Sequence, residues 1–204
     1  MTETAEAIKI QRGLKGIYFE RSPCTFIDGK AGELRFRGYS IHDLAQHSTF
    51  EETAWLLLNG ELPTKPQLAS FDAELKAGRN LPAPVIDIIR TIKSAHPMDV
   101  LRTAASALSA FDPETADNSR EAILRKAVRL TSQVPIIVAA HSHIRAGNEP
   151  VTADRTLSHA ANLLWMLTGK KPSPDAAQLI DRDLLACRAR LQCLIFRGPC
   201  RDRH

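Results

Sequence analysis

The chain has 204 residues, a net charge of +4, 44% hydrophobic residues and only 5% aromatics. That length supports one domain with a real core, and the leucine- and alanine-rich, aromatic-poor composition suits helices. No run of about 18 apolar residues is present, which excludes a helical membrane span, and the acid-bearing opening MTETAEAIKI lacks the apolar stretch of a signal peptide, so a cytoplasmic protein is expected.

In chain order, Thr25-Phe26-Ile27 is a short β-prone run. The turn-rich Asp28-Gly29-Lys30-Ala31-Gly32 follows, and then the alternating Glu33-Leu34-Arg35-Phe36-Arg37. This order predicts a small hairpin between Thr25 and Arg37, with glycine supplying the positive φ at the reversal. Gly38-Tyr39-Ser40 is expected to end the strand, and Ile41 to Ala45 to begin a helix.

A series of capped helices comes next. Thr49 with Glu52 has capping-box spacing, and Phe50, Ala54, Leu57 and Leu58 share one face. Asn59-Gly60 is a stop signal. Thr64 with Gln67 repeats the cap, and Leu68, Phe71 and Leu75 continue an apolar face to Gly78. Pro82 and Pro84 interrupt the chain before a short helix carrying Val85, Ile88, Ile89 and Ile92. Another helix is expected from Met98 to Phe111, with Leu101, Ala104, Ala105 and Leu108 at helical spacing. Asp112 to Ser119 is a loop. A long helix from Arg120 to about Arg145 contains Pro135, which should kink it because proline has no N–H to donate. Thr156 to Thr168 and a segment opened by Ser173-Pro174 complete the helices. The fold class is all-α with a small N-terminal β-hairpin.

The histidines are the natural candidates for chemistry. His141 and His143 lie two residues apart, about 200° around a helix, so they cannot share a metal; one should face the core and the other solvent. His42, His47, His96 and His159 each sit where a packing or capping role is the simpler reading. Neither a nucleophile elbow nor a glycine-rich phosphate loop is present. No catalytic, substrate-binding or metal-ligating residue is assigned.

Four blocks, in order, resemble the citrate synthase family: IDGKAGELRFRGYSIHDLA, FEETAWLLLNGELPT from Phe50 to Thr64, HPMDVLRTAASAL from His96 to Leu108, and ANLLWMLTGKKPSP from Ala161 to Pro174. The resemblance implies helical homodimers that condense an acyl-CoA, acetyl or propionyl, with oxaloacetate. It also implies no cofactor, since the acyl-CoA is a substrate. In such enzymes an Asp takes a proton from the thioester methyl group, imidazoles stabilise the developing oxyanions, and Arg and His groups hold the carboxylates. By the resemblance all of these fall after the position of Leu185, so the chain is expected to be a truncated, N-terminal portion of the family's large domain. The alternative is a catalytically dead helical dimerisation module.

The expected organisation is an arm over 1–12, a partial citrate synthase domain over 13–185, and a foreign tail over 186–204. Five arginines after Leu185, opposed only by Asp202, account for the whole net charge of +4. The body is therefore balanced, which argues against a nucleic-acid partner. Cys187, Cys193 and Cys200 crowd the same tail at spacings that match no common zinc pattern, while Cys24 is alone in the body. Where the family would continue with His-Ala-Glu-His-Gly-Phe-Asn, this chain reads ACRARLQCLIFRGPCRDRH. Shifted one base forward, the codons for Leu185 to Cys200 permit Leu-His-Ala-Glu-His-Gly-Phe-Asn-Ala-Ser-Ser-Phe-Ala-Ala-Arg-Val. A shifted reading frame near codon 184 is the expectation, with a tail not selected to pack and disordered beyond Leu185.

Overall fold

A computed structural model describes residues 22–196, with side chains described through Leu185. Strands β1 (Thr25–Asp28), β2 (Glu33–Phe36) and β3 (Tyr39–Ser40) form an antiparallel sheet in the order β1-β2-β3. Thr25 pairs with Phe36 and Asp28 with Glu33, so the expected hairpin is present. Asp28 closes its turn by accepting from the Lys30 and Ala31 amides through Oδ1.

The third strand departs from the sequence expectation. Phe36 pairs with Tyr39, leaving Arg37 and Gly38 as a two-residue turn with φ of 50° and 92°. Two successive positive φ values are what a tight hairpin turn needs, and they match the twist of the flanking strands. Gly38 accepts such a φ freely. Arg37 does not, and its guanidinium is anchored by donating to Leu57 O at 3.0 Å.

Among the described residues eight helices follow: α1 (Ile41–His47), α2 (Phe50–Asn59), α3 (Lys65–Ala77), α4 (Ala83–Thr91), α5 (Pro97–Ala107), α6 (Arg120–Arg145), α7 (His159–Thr168) and α8 (Pro174–Phe196). Thr49 caps α2 in a reciprocal box with Glu52, and Gly60 ends it at φ 100°. Pro84 opens α4 within its first turn rather than interrupting the chain, since the first helical N–H groups need no intrahelical acceptor. Helix α5 tightens after Ala107 into a 3-10 turn, Leu108–Phe111. Helix α7 begins at His159, three residues later than expected. Asp154 Oδ1 holds both the amide and the hydroxyl of Thr156 in a turn, and Ser158 supplies the N-cap. Helix α6 runs on past Pro135.

The main core joins α4, α5 and α6 through Val85, Ile89, Val100, Ala104, Leu108, Ile137, Ala140 and Ile144. Helix α2 is covered on two sides, which widens its buried surface beyond the single face expected. Leu56 packs with Phe36 and Leu44 against the sheet, and Ala54 packs with Phe71 and Leu75 against α3. Ile136, Ala139 and Met166 join α6 to α7. Each of these fully buried large side chains contributes on the order of 1.5–3 kcal/mol.

Helix α8 is described through Phe196. The run ACRARLQCLIF contains neither glycine nor proline, so nothing local stops a helix before Gly198-Pro199. Residues 1–12 and 197–204 lie outside the described residues, as do 13–21.

Candidate functional site

Four of the buried polar residues gather where α2, α7 and the segment after α3 meet. Glu51 is in the first turn of α2, His159 and Asn162 are in α7, and Arg79 follows Gly78; all four are buried. Glu51 Oε1 accepts from the His159 amide at 2.8 Å, satisfying one of the N–H groups that a helix start leaves without an intrahelical acceptor. Arg79 Nη1 donates to Asp154 O at 2.8 Å and Leu157 O at 2.9 Å, and Asn162 Oδ1 accepts from the Asp154 amide. Arg79 thereby ties the 154–157 turn to the end of α3. The turn after α3 comes close to α6, because a Cβ on Gly78 would lie 3.0 Å from Ser132 Oγ.

The imidazole of His159 stacks on Phe50, with centroids 4.4 Å apart. Burial, reinforced by the Arg79 charge, lowers its pKa to about 4. It is neutral at physiological pH and enclosed. Asp181 on α8 accepts from the Phe50 amide through both oxygens, at 3.2 and 3.3 Å. Burial holds its carboxyl above the usual range, opposed by that amide and helped by the charges of Glu51 and Glu52.

Two open clefts flank this cluster. One of about 400 Å³ is lined by Thr49, Glu51, Lys65, Asp72, Lys76 and Ser158. The other, of about 230 Å³, carries Gln46, Ser48, Thr49, Glu51, Asp181 and Arg182. A third cleft, of about 430 Å³, lies between α5, α6 and the 112–115 turn, with Leu108, Phe111, Arg129 and Leu130 among its walls. Ion pairs link the acids of the 112–114 turn to arginines of α6. Arg129 binds Asp112 at 2.6 Å and Glu114 at 2.8 Å, and Arg125 also binds Glu114. Those arginine hydrogen bonds pull the Glu114 carboxyl down to about 2.

None of these clefts has a histidine in its wall. His42 and His47 are exposed on α1. His96 caps α5, its Nδ1 accepting from the Met98 amide. His141 Nε2 donates to Lys93 O at 3.1 Å and His143 Nε2 to Met166 O at 2.8 Å, so they point to different neighbours. The expectation that one of the pair faces solvent is corrected here: His143 is half-buried against α7 because the last turns of α6 are covered on both sides. Among the described residues no group of three His, Cys, Asp or Glu side chains is placed to hold a metal ion. Sequence reasoning missed Glu51 and Arg79. Glu51 carried a signal, since it shares a helical stripe with Ala54, Trp55 and Leu58, which is an unusual place for a charge.

The family model for the citrate synthase C-terminal domain matches residues 13–188. The chain belongs to the citrate synthase family. Over 173 residues it is 43% identical to the citrate synthase of Deinococcus radiodurans, a match covering 84% of this chain and 46% of that protein. The citrate synthase of Haloferax volcanii is 42% identical over 183 residues, covering 87% of this chain and 48% of the relative. The fold agrees: the crystal structure of citrate synthase from Pyrobaculum aerophilum superposes with a TM-score of 0.82 at 35% identity, covering 86% of this chain and 46% of that one. The chain thus spans about half the length of the relatives it matches. Within that half, the buried Glu51, His159 and Arg79 join α2, α7 and the segment after α3.

Proposed function

We propose that residues 13–185 are the N-terminal, scaffold-forming share of a cytoplasmic, homodimeric citrate synthase-type acyltransferase. The family reaction condenses acetyl-CoA, or propionyl-CoA, with oxaloacetate to give citrate, or 2-methylcitrate, and CoA, at the entry to the tricarboxylic acid cycle. The observation that carries this reading is the family match over residues 13–188, combined with clefts in which no histidine stands beside a carboxylate.

The reaction needs a carboxylate base at the thioester methyl group and imidazole donors at the oxyanions that form. In this chain the buried histidines already donate to or stack on their own scaffold. The catalytic Asp and the oxaloacetate-binding His are therefore proposed to belong to the part of the family fold that follows Leu185. On this reading residues 186–204 are an out-of-frame translation, and the 204-residue chain alone is catalytically inert.

Release of CoA thiol from acetyl-CoA in the presence of oxaloacetate tests it. The purified 204-residue chain should show no turnover above the uncatalysed background, because loss of a whole catalytic set costs many orders of magnitude. Turnover near enzyme rates would overturn the reading. Salt-sensitive binding to DNA would instead revive the nucleic-acid alternative.

A further inference from the structure

The chain contains one Asn-Gly step, Asn59-Gly60, and one Asp-Gly step, Asp28-Gly29. In each, the glycine has no side chain to shield its amide nitrogen. That nitrogen can attack the Cγ of the residue before it and close a five-membered succinimide. In an unfolded chain the Asn step is the faster of the two, because a carboxylate must first be protonated before it can lose water.

The fold treats the two steps in opposite ways. Asn59 is the last residue of α2. The Gly60 amide donates to Leu56 O at 2.8 Å, and Asn59 Nδ2 donates to Trp55 O at 3.2 Å. Nucleophile and leaving group are both held by the helix, so attack at Asn59 requires breaking both hydrogen bonds.

Asp28-Gly29 lies at the reversal between β1 and β2, where Gly29, Lys30 and Ala31 are exposed. Among the described residues the Gly29 amide has no hydrogen-bond acceptor. The two amides after it do have one: Lys30 N donates to Asp28 Oδ1 at 2.9 Å and Ala31 N at 3.1 Å. These bonds draw the Asp28 carboxyl back across the turn, over the Gly29 peptide. They also point at the oxygen that would carry the negative charge of a tetrahedral adduct at Cγ. Oδ1 therefore has two oxyanion donors in place before any attack.

We propose that Asp28-Gly29, and not Asn59-Gly60, is where the folded protein ages covalently, by isomerisation of Asp28 to isoaspartate. With Asp28 in its acid form, Gly29 N attacks Cγ, and the new C–N bond forms as the Cγ–Oδ2 bond breaks. Oδ2 leaves as water, taking the carboxyl proton and the Gly29 amide proton. Water then adds to the succinimide at the former main-chain carbonyl of Asp28, and the chain continues through Cβ and Cγ. No oxidant or reductant takes part. The product has an extra methylene in the main chain at the end of β1. Its free carboxylate, now on Cα, is the group that an isoaspartate-repairing methyltransferase would esterify.

The test compares the 204-residue chain kept folded for weeks at physiological pH and temperature with the same chain kept in concentrated guanidinium chloride. Circular dichroism confirms that the first sample stays folded. Fragmentation mass spectrometry reads isoaspartate in the tryptic peptide 22–30 and deamidation in the peptide that carries Asn59. The ratio of conversion at Asp28 to conversion at Asn59 should be about tenfold higher, or more, in the folded chain than in the denatured one. A smaller rise, or a fall, overturns the proposal. Gly29→Ala, which shields the attacking nitrogen with a methyl group, should lower conversion at Asp28 severalfold in the folded chain. Unchanged conversion in that variant would overturn the route through Gly29 N.

Discussion

His159 shows how far a residue's role depends on its surroundings. In sequence it is one histidine among several at a helix start; in the structure it lies between Phe50 and Arg79 with its pKa lowered to about 4. As pH falls from about 6.5 toward 4, the unfolded chain takes up this proton and the folded chain does not, so this group lowers stability as acid is added. Its contribution is fully present above the unfolded pKa and shrinks through that window by an amount on the order of 2–3 kcal/mol for so buried a ring. Asp181, whose folded pKa is raised, acts in the opposite sense as its carboxyl protonates. The comparison must therefore be between proteins. Urea midpoints measured at pH 7.5 and pH 5 should fall more for wild type than for His159→Phe, which keeps the stack on Phe50 and has no proton to bind. Equal falls would mean that the proton on His159 does not limit the fold. This cluster was not legible in sequence because its members come from positions 51, 79 and 159, and only tertiary packing brings them together.

At the scale of elements, most of the chain was legible because its signals are local. Thr49 with Glu52, Gly60, Ser173-Pro174 and the 112–119 loop all act within a few residues of themselves, and the structure places each as expected. The third strand was hidden because its turn depends on a distant contact. Arg37 combines φ 50° with a guanidinium contact to Leu57 O, twenty residues on, and nothing beside it in sequence announces that. Gly38 is the element's weak point: its φ of 92° strains any other residue although the space around it is open. Gly38→Ala should cost about 1 kcal/mol from backbone strain alone. The loss should appear in hydrogen exchange as earlier opening of β2, β3 and the start of α1, with α4 to α6 protected as before. An unchanged pattern would show that the turn is not under strain.

For the whole molecule, the open question is why a fold so close to half of a citrate synthase gives way to ACRARLQCLIFRGPCRDRH. The family match ends at residue 188, within α8, so neither a domain boundary nor a loop marks the change. Charge changes at the same place, since the body to Leu185 is balanced and the following residues carry the whole excess of +4; so does cysteine, with three of the four residues in the tail. A tail selected to bind something would be expected to differ from the family in every reading frame. Here one neighbouring frame permits Leu-His-Ala-Glu-His-Gly-Phe-Asn across the junction, and most shifted codons have one free base, so a chance run of this length is improbable. That α8 remains helical to Phe196 does not favour a selected tail, because residues 186–197 contain no helix breaker before Gly198. The prediction is that the gene encodes this shifted reading beyond codon 184. A one-base correction there should yield a longer chain that releases CoA from acetyl-CoA or propionyl-CoA with oxaloacetate, while the 204-residue chain stays inert. If the bases after codon 184 do not spell that segment in the neighbouring frame, the tail is a genuine part of the protein and its arginines need a partner of their own.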